Sequence, residues 1–163
     1  MIVLEIVGIV AFAGVVTPPP VVTKPPVEPV VSTPVEAKPI QVDPLKDPNN
    51  ILSKRSVFYD YDSNVIKDEY KPLVTAHARF LTQNRNRKIA IQGNTDERGS
   101  REYNLALGQK RAEALKKALQ LLGVREDQVE AVSLGEEKPR CEEKTDACYA
   151  QNRRSDLLYG GEY

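Results

Sequence analysis

The stretch Gln92-Gly93-Asn94-Thr95-Asp96-Glu97-Arg98-Gly99-Ser100-Arg101-Glu102-Tyr103-Asn104-Leu105-Ala106-Leu107-Gly108-Gln109-Lys110-Arg111-Ala112 decides how this chain folds. Its opening closes an extended segment, Arg87 to Gly93, in which Ile89 and Ile91 point to one side as a strand requires. A polar turn follows, with Gly93 and Gly99 permitting backbone angles that other residues resist. Ser100 is a suitable N-cap for a long helix. Leu105, Gly108, Ala112, Leu115, Leu119 and Leu122 form its apolar stripe, and Gly123 ends it. The unit is strand, polar turn, helix.

Outward from this unit, Ser56 to Tyr61 alternates around Val57, Tyr59 and Tyr61 and predicts a first strand. Asp68 and Glu69 suit a helix entrance and Pro72 its first turn. Leu73, Ala76, His77, Phe80 and Leu81 then repeat at helical spacing as far as about Asn84. Val129 to Leu134 reads as a third strand and Ser155 to Tyr159 as a fourth, with a polar excursion from Gly135 to Arg153 between them. The predicted order is β-α-β-α-β-β. Its compact solution is an α/β (α+β) two-layer sandwich, with two main helices on one face of a mixed four-stranded sheet.

Three segments are expected. Residues 1–16 are apolar except for Glu5 and resemble the core of a secretory signal, although no Lys or Arg precedes the run. Residues 17–50 hold ten of the twelve prolines, which predicts a disordered, extended linker. At about 3.1 Å per residue it would reach on the order of 100 Å. Residues 51–163 form the folded domain. A net charge of zero argues against nucleic acid as a partner.

Cys141 and Cys148, with six residues between them, read as a disulfide in an exported protein, two free thiols being the alternative. With His77 the only histidine, the residues predict neither a metal site nor a cofactor. His77 sits on an apolar stripe and is expected in the core. Asp60 and Asp62, two apart on a strand, would share a face and could hydrolyse a glycosidic bond; aspartates at a strand end more often accept backbone hydrogen bonds in the next turn. The domain is read as non-enzymatic.

Asp96 can accept from an ammonium group, and Arg111 can hold a carboxylate in its planar fork. A small ligand bearing both groups would suit the pair. Yet Arg111 lies eleven residues past Ser100, about 16 Å along a helix. Sharing a ligand requires the loop to fold back; otherwise Asp96 caps the turn with Arg111 solvated, or the two form an ion pair.

The run from Gly93 to Ala112 closely resembles the peptidoglycan-associated lipoprotein (Pal) family within the wider OmpA-like group. So do Tyr59-Asp60-Tyr61-Asp62, Gly135-Glu136-Glu137-Lys138-Pro139 and Gln151-Asn152-Arg153-Arg154, in family order from about Ser56 to Tyr159. The resemblance implies a periplasmic, outer-membrane-associated domain that binds meso-diaminopimelate of the peptidoglycan stem without cleaving it. It implies Asp96 for the ligand's ammonium and Arg111 for its carboxylate. Asn104, Leu107 and the segment around Asp60 would line the pocket, and Asn152 and Arg153 would brace its edge. It also implies partnership with TolB and the Tol system, in envelope integrity and cell division. A TolB-binding module with incidental wall contact is the alternative, and a glycosidase using Asp60 and Asp62 a lesser one. Members carry a lipid-bearing cysteine after the small residues of the signal; here Val15 follows Ala13-Gly14, so no lipid acceptor is expected in the sequence as it stands.

Overall fold

The computed structural model describes residues 43–160, together with Gly14 and Val16. The signal-like segment and the linker as far as residue 42 otherwise lie outside the described residues. Four strands, β1 (Ser56–Phe58), β2 (Ile89–Asn94), β3 (Val129–Gly135) and β4 (Arg154–Tyr159), form one sheet in the order β1-β4-β2-β3. The β1/β4 and β4/β2 pairs are antiparallel and β2/β3 is parallel, so the sheet is mixed as expected. The helices are α1 (Lys71–Gln83), α2 (Arg101–Leu121) and α3 (Asp146–Asn152).

Register explains why one face of the sheet is covered. Ile89 opposes Tyr159 and Val129, Ile91 opposes Leu157 and Ala131, and Val57 opposes Ser155, so these side chains share a face. Leu73, Val74 and Leu81 of α1 and Ala112, Leu115 and Leu119 of α2 pack there, building one hydrophobic core. His77 is fully buried within it, as expected. Its Nε2 meets the Lys54 carbonyl at 2.9 Å, and its Nδ1 meets the Tyr159 hydroxyl at 2.7 Å.

Helix α2 lies unusually close to the sheet because glycine faces glycine. A Cβ on Gly93 would sit 1.9 Å from the Gly108 carbonyl oxygen. Gly93 therefore serves close approach, whereas Gly99, with φ of 115°, does take the left-handed backbone expected of the turn. Ser100 caps α2 as predicted, its hydroxyl accepting from the Tyr103 N–H.

Several expectations need correction. Strand β1 stops at Phe58; beyond Tyr59 the chain turns, with Asp62 at φ 52°, so Asp60 and Asp62 are not paired on one strand face. Leu105 and Leu122 are exposed, and Asn104 and Arg111, which lie outside the predicted apolar stripe, are buried on α2 instead. The excursion between β3 and β4 contains α3, making the order β-α-β-α-β-α-β. That seven-residue helix is too short to show a period; Thr145 caps it through a 3.3 Å bond from the Cys148 N–H, and the Cys141–Cys148 disulfide closes its loop. Leu45, assigned to the linker, belongs to the core, and its carbonyl accepts from Arg55 at 3.0 Å.

Candidate functional site

The closeness of β2 and α2 places the end of the strand beside the middle of the helix, not beside its start. Asn94 consequently lies next to Arg111, and the loop Thr95–Ser100 runs back along α2 to reach its N-terminus. Arg111 is fully buried. Its Nη1 donates to the Asn94 carbonyl at 2.9 Å, its Nε to the Ser63 carbonyl at 2.8 Å and its Nη2 to the Asp60 carbonyl at 3.2 Å. A guanidinium has five N–H groups, so one on each Nη remains. The ring of Tyr59 lies 5.1 Å from the guanidinium carbon.

These partners are neutral. Burial therefore lowers the Arg111 pKa to about 10, leaving the group cationic at neutral pH and without a hydrogen-bonded carboxylate. Such a cation is an anion receptor.

Asp96 is buried near it but does not pair with it. Asp96 Oδ2 accepts from Arg98 Nη2 at 2.7 Å and from Arg153 Nη1 at 3.1 Å, and Oδ1 accepts from the Arg98 backbone N–H at 3.1 Å. Burial alone would raise this carboxyl; the bonds to Arg98 and Arg153 outweigh it and hold the pKa below the usual carboxylate value. Of about four acceptor positions on a carboxylate, three are occupied and one on Oδ1 is left.

Asp96 and Arg111 line one cavity of about 130 Å³, together with Tyr61, Asp62, Thr95, Arg98, Gly99, Tyr103, Asn104, Leu107 and Arg153. Three arginines against two aspartates leave one surplus positive charge around it. The Thr95 hydroxyl is buried and finds no protein partner. The cavity thus offers N–H donors at one point, a carboxylate oxygen at another and an unused hydroxyl. Among the described residues, no group of three His, Cys, Asp or Glu side chains is placed to hold a metal ion.

Residues 58–153 match the OmpA family. The peptidoglycan-associated lipoprotein of Pasteurella multocida is 46% identical over 104 residues, covering 64% of this chain and 69% of that protein. That of Pseudomonas putida is 46% identical over 100 residues, covering 61% and 60%. Among solved structures, the peptidoglycan-associated lipoprotein of Burkholderia pseudomallei aligns with a TM-score of 0.71 at 59% identity, over 72% of this chain and 99% of that one. The chain belongs to the peptidoglycan-associated lipoprotein family. The C-terminal domain of Helicobacter pylori MotB, 20% identical with a TM-score of 0.59, shares the fold.

The Pal positions fall in two groups. Asp96, Arg111, Asn104, Leu107 and Arg153 line the cavity. Asp60 and Asn152 do not. The Asp60 side chain turns outward to Lys67 at 2.8 Å, and only its carbonyl serves the site, through Arg111. Asn152 braces the neighbouring disulfide loop: its Oδ1 accepts from the Arg140 and Cys141 N–H groups, and its Nδ2 donates to the Cys141 carbonyl. Asn104 donates to Glu136, fastening α2 to the loop after β3.

Other cavity residues were not singled out from the sequence as ligand contacts. Thr95 and Arg98 lie inside the quoted loop, where nothing in the spacing separates them from their neighbours. Tyr103 carries a signal in its spacing, since 103, 104, 107 and 111 share one helical face that ends on the buried arginine. Tyr103 donates its hydroxyl to Asp62, closing the cavity rim.

Proposed function

We propose that this domain binds peptidoglycan non-covalently by enclosing the amine-and-carboxylate end of meso-diaminopimelate on the peptide stem. The carrying observation is that buried Arg111 has only carbonyl partners and shares its cavity with the Asp96 carboxylate. The free N–H groups of Arg111 take the ligand carboxylate, and the open position on Asp96 takes the ammonium. The Thr95 hydroxyl is free to meet either. Asn104, Leu107 and Arg153 bound the ligand, and Asp60 and Asn152 act through the framework.

The reading is of a binder rather than a wall-cleaving enzyme. Asp62 borders the cavity but Asp60 is ion-paired outside it, so the two carboxylates do not flank a common substrate position. Family membership supports a periplasmic tether between outer membrane and wall, with TolB and the Tol system as partners. The proline-rich composition of residues 17–50 suits a spacer ahead of the domain.

Sedimentation with purified cell-wall sacculi tests the site. The parent chain is expected in the pellet, and Asp96→Asn and Arg111→Lys mostly in the supernatant. Co-sedimentation of both variants at the parent's level, with their folds intact, contradicts the assignment.

A further inference from the structure

Asp96 is held in place by an arginine that is itself clamped. The Arg98 guanidinium lies between two aromatic rings, 4.4 Å from the Tyr61 centroid and 4.5 Å from that of Tyr149. Its Nη2 reaches Asp96, while its Nε is buried without a hydrogen-bond partner. Two ring faces and one charge-assisted hydrogen bond therefore fix this side chain. Tyr61 comes from the turn after β1. Tyr149 comes from α3, the helix closed by the Cys141–Cys148 disulfide, and its hydroxyl donates to Glu97 at 3.1 Å. Just past α3, Arg153 contributes the second bond to Asp96 and also donates to the Tyr59 carbonyl at 3.2 Å.

We propose that the disulfide-closed helix is a positioning element for the ligand cavity, with Tyr149 pressing Arg98 onto Asp96 so that one acceptor position of the carboxylate stays presented to the ligand. Three observations converge on it: the two-ring clamp, the shared grip of Arg98 and Arg153 on one carboxylate oxygen, and the threefold bonding of Asn152 to the loop at Cys141. Without the clamp, Arg98 swings toward solvent, where Asp146 already lies 3.7 Å from its Nη1. Asp96 then loses a cation and a defined orientation. Tyr149 is a positioning residue; nothing in its placement requires it to touch the ligand, and it is absent from the cavity lining.

The charged and titratable groups facing Asp96 are Arg98 from its own loop, Arg153 and Tyr149 from the α3 side, and Arg111 from α2. Three of these are cations, so removing the Arg98 contact raises the pH at which the carboxyl takes up a proton.

This inference rests on the binding reading, and one of its two readouts is independent of that reading. The first is the titration midpoint of the Asp96 carboxyl carbon, followed by NMR in the ligand-free full chain. The second is affinity for a soluble peptide ending in meso-diaminopimelate. In Tyr149→Ala the midpoint is expected to rise by about half a pH unit or more and the affinity to fall about five- to tenfold. Tyr149→Phe, which keeps the ring, is expected to restore both. Cys141→Ser/Cys148→Ser, carrying an intact Tyr149 on an unclosed loop, is expected to shift both readouts in the same direction and serves if Tyr149→Ala does not fold. A parent-like midpoint in a folded Tyr149→Ala or in the double serine variant overturns the proposal. Loss of thermal stability without a change in midpoint also overturns it, because a merely structural role moves the first and not the second. If the parent itself fails to bind the peptide, the binding reading falls and the midpoint alone judges the clamp.

Discussion

Arg111 commits three of its five N–H groups to carbonyls of the Asp60–Ser63 turn and of β2. It is at once a structural fastening and the cationic floor of the cavity. Lysine, with a compact ammonium, cannot span the three carbonyls and still offer a fork. Arg111→Lys is therefore expected to cost about 2 kcal/mol in urea unfolding and to weaken binding of the diaminopimelate-ended peptide by about 100-fold. His77 supports a different prediction at this scale. Burial lowers its pKa, the bond to the Lys54 carbonyl opposes that, and nearby Arg55 adds to the lowering. The folded value thus lies below the ordinary 6.5, so the unfolded chain takes up a proton that the folded chain refuses. Above about pH 6.5 stability is insensitive to this group; as pH falls from there toward the lowered folded value, stability is lost. Urea midpoints should decline from pH 7 to pH 5 in the parent. They should decline less in His77→Gln, and an equal decline in both rules the histidine out as the cause.

Between elements, the contact of Gly93 with Gly108 determines whether Asp96 and Arg111 meet. Measured from Ser100 along the helix, Arg111 is about 16 Å away, and sequence spacing leaves that gap open. The strand closes it by running against the middle of α2, and only two facing glycines allow that approach. Gly93→Ala is expected to push α2 outward, costing about 2–3 kcal/mol by overpacking and weakening ligand binding more than tenfold, since the Asn94 carbonyl moves with the strand. Parent-like affinity in a folded Gly93→Ala would show that the approach does not set the site. The four strands and two long helices were legible because Ile89/Ile91, the α1 stripe and the Ser100 cap are local patterns. Helix α3 was not, because Thr145 and a disulfide define it rather than an apolar period. The cavity face of α2 was hidden because Leu105 fits the apolar stripe and is exposed, while Arg111, a charged residue, is fully buried and still lines the cavity.

For the whole molecule, α2, the loop before it, the turn after β1 and Arg153 just past α3 converge on one end of the sheet, and the cavity is the place where their polar groups are not exhausted. The family likeness implies a ligand for that cavity, and the structure adds which atoms remain available to it. It also moves Asp60 from lining to support, through its carbonyl, and has Asn152 bracing the disulfide loop beside the cavity. The central claim is that Arg111 reads a carboxylate. Calorimetric titration of the full chain with two soluble stem peptides tests it most directly, one ending in meso-diaminopimelate and the other in lysine, which lacks the second carboxylate. The account predicts saturable binding of the first and at least about 100-fold weaker binding of the second, as expected when a buried charged donor is left unpaired. Equal affinity for the two peptides would contradict it.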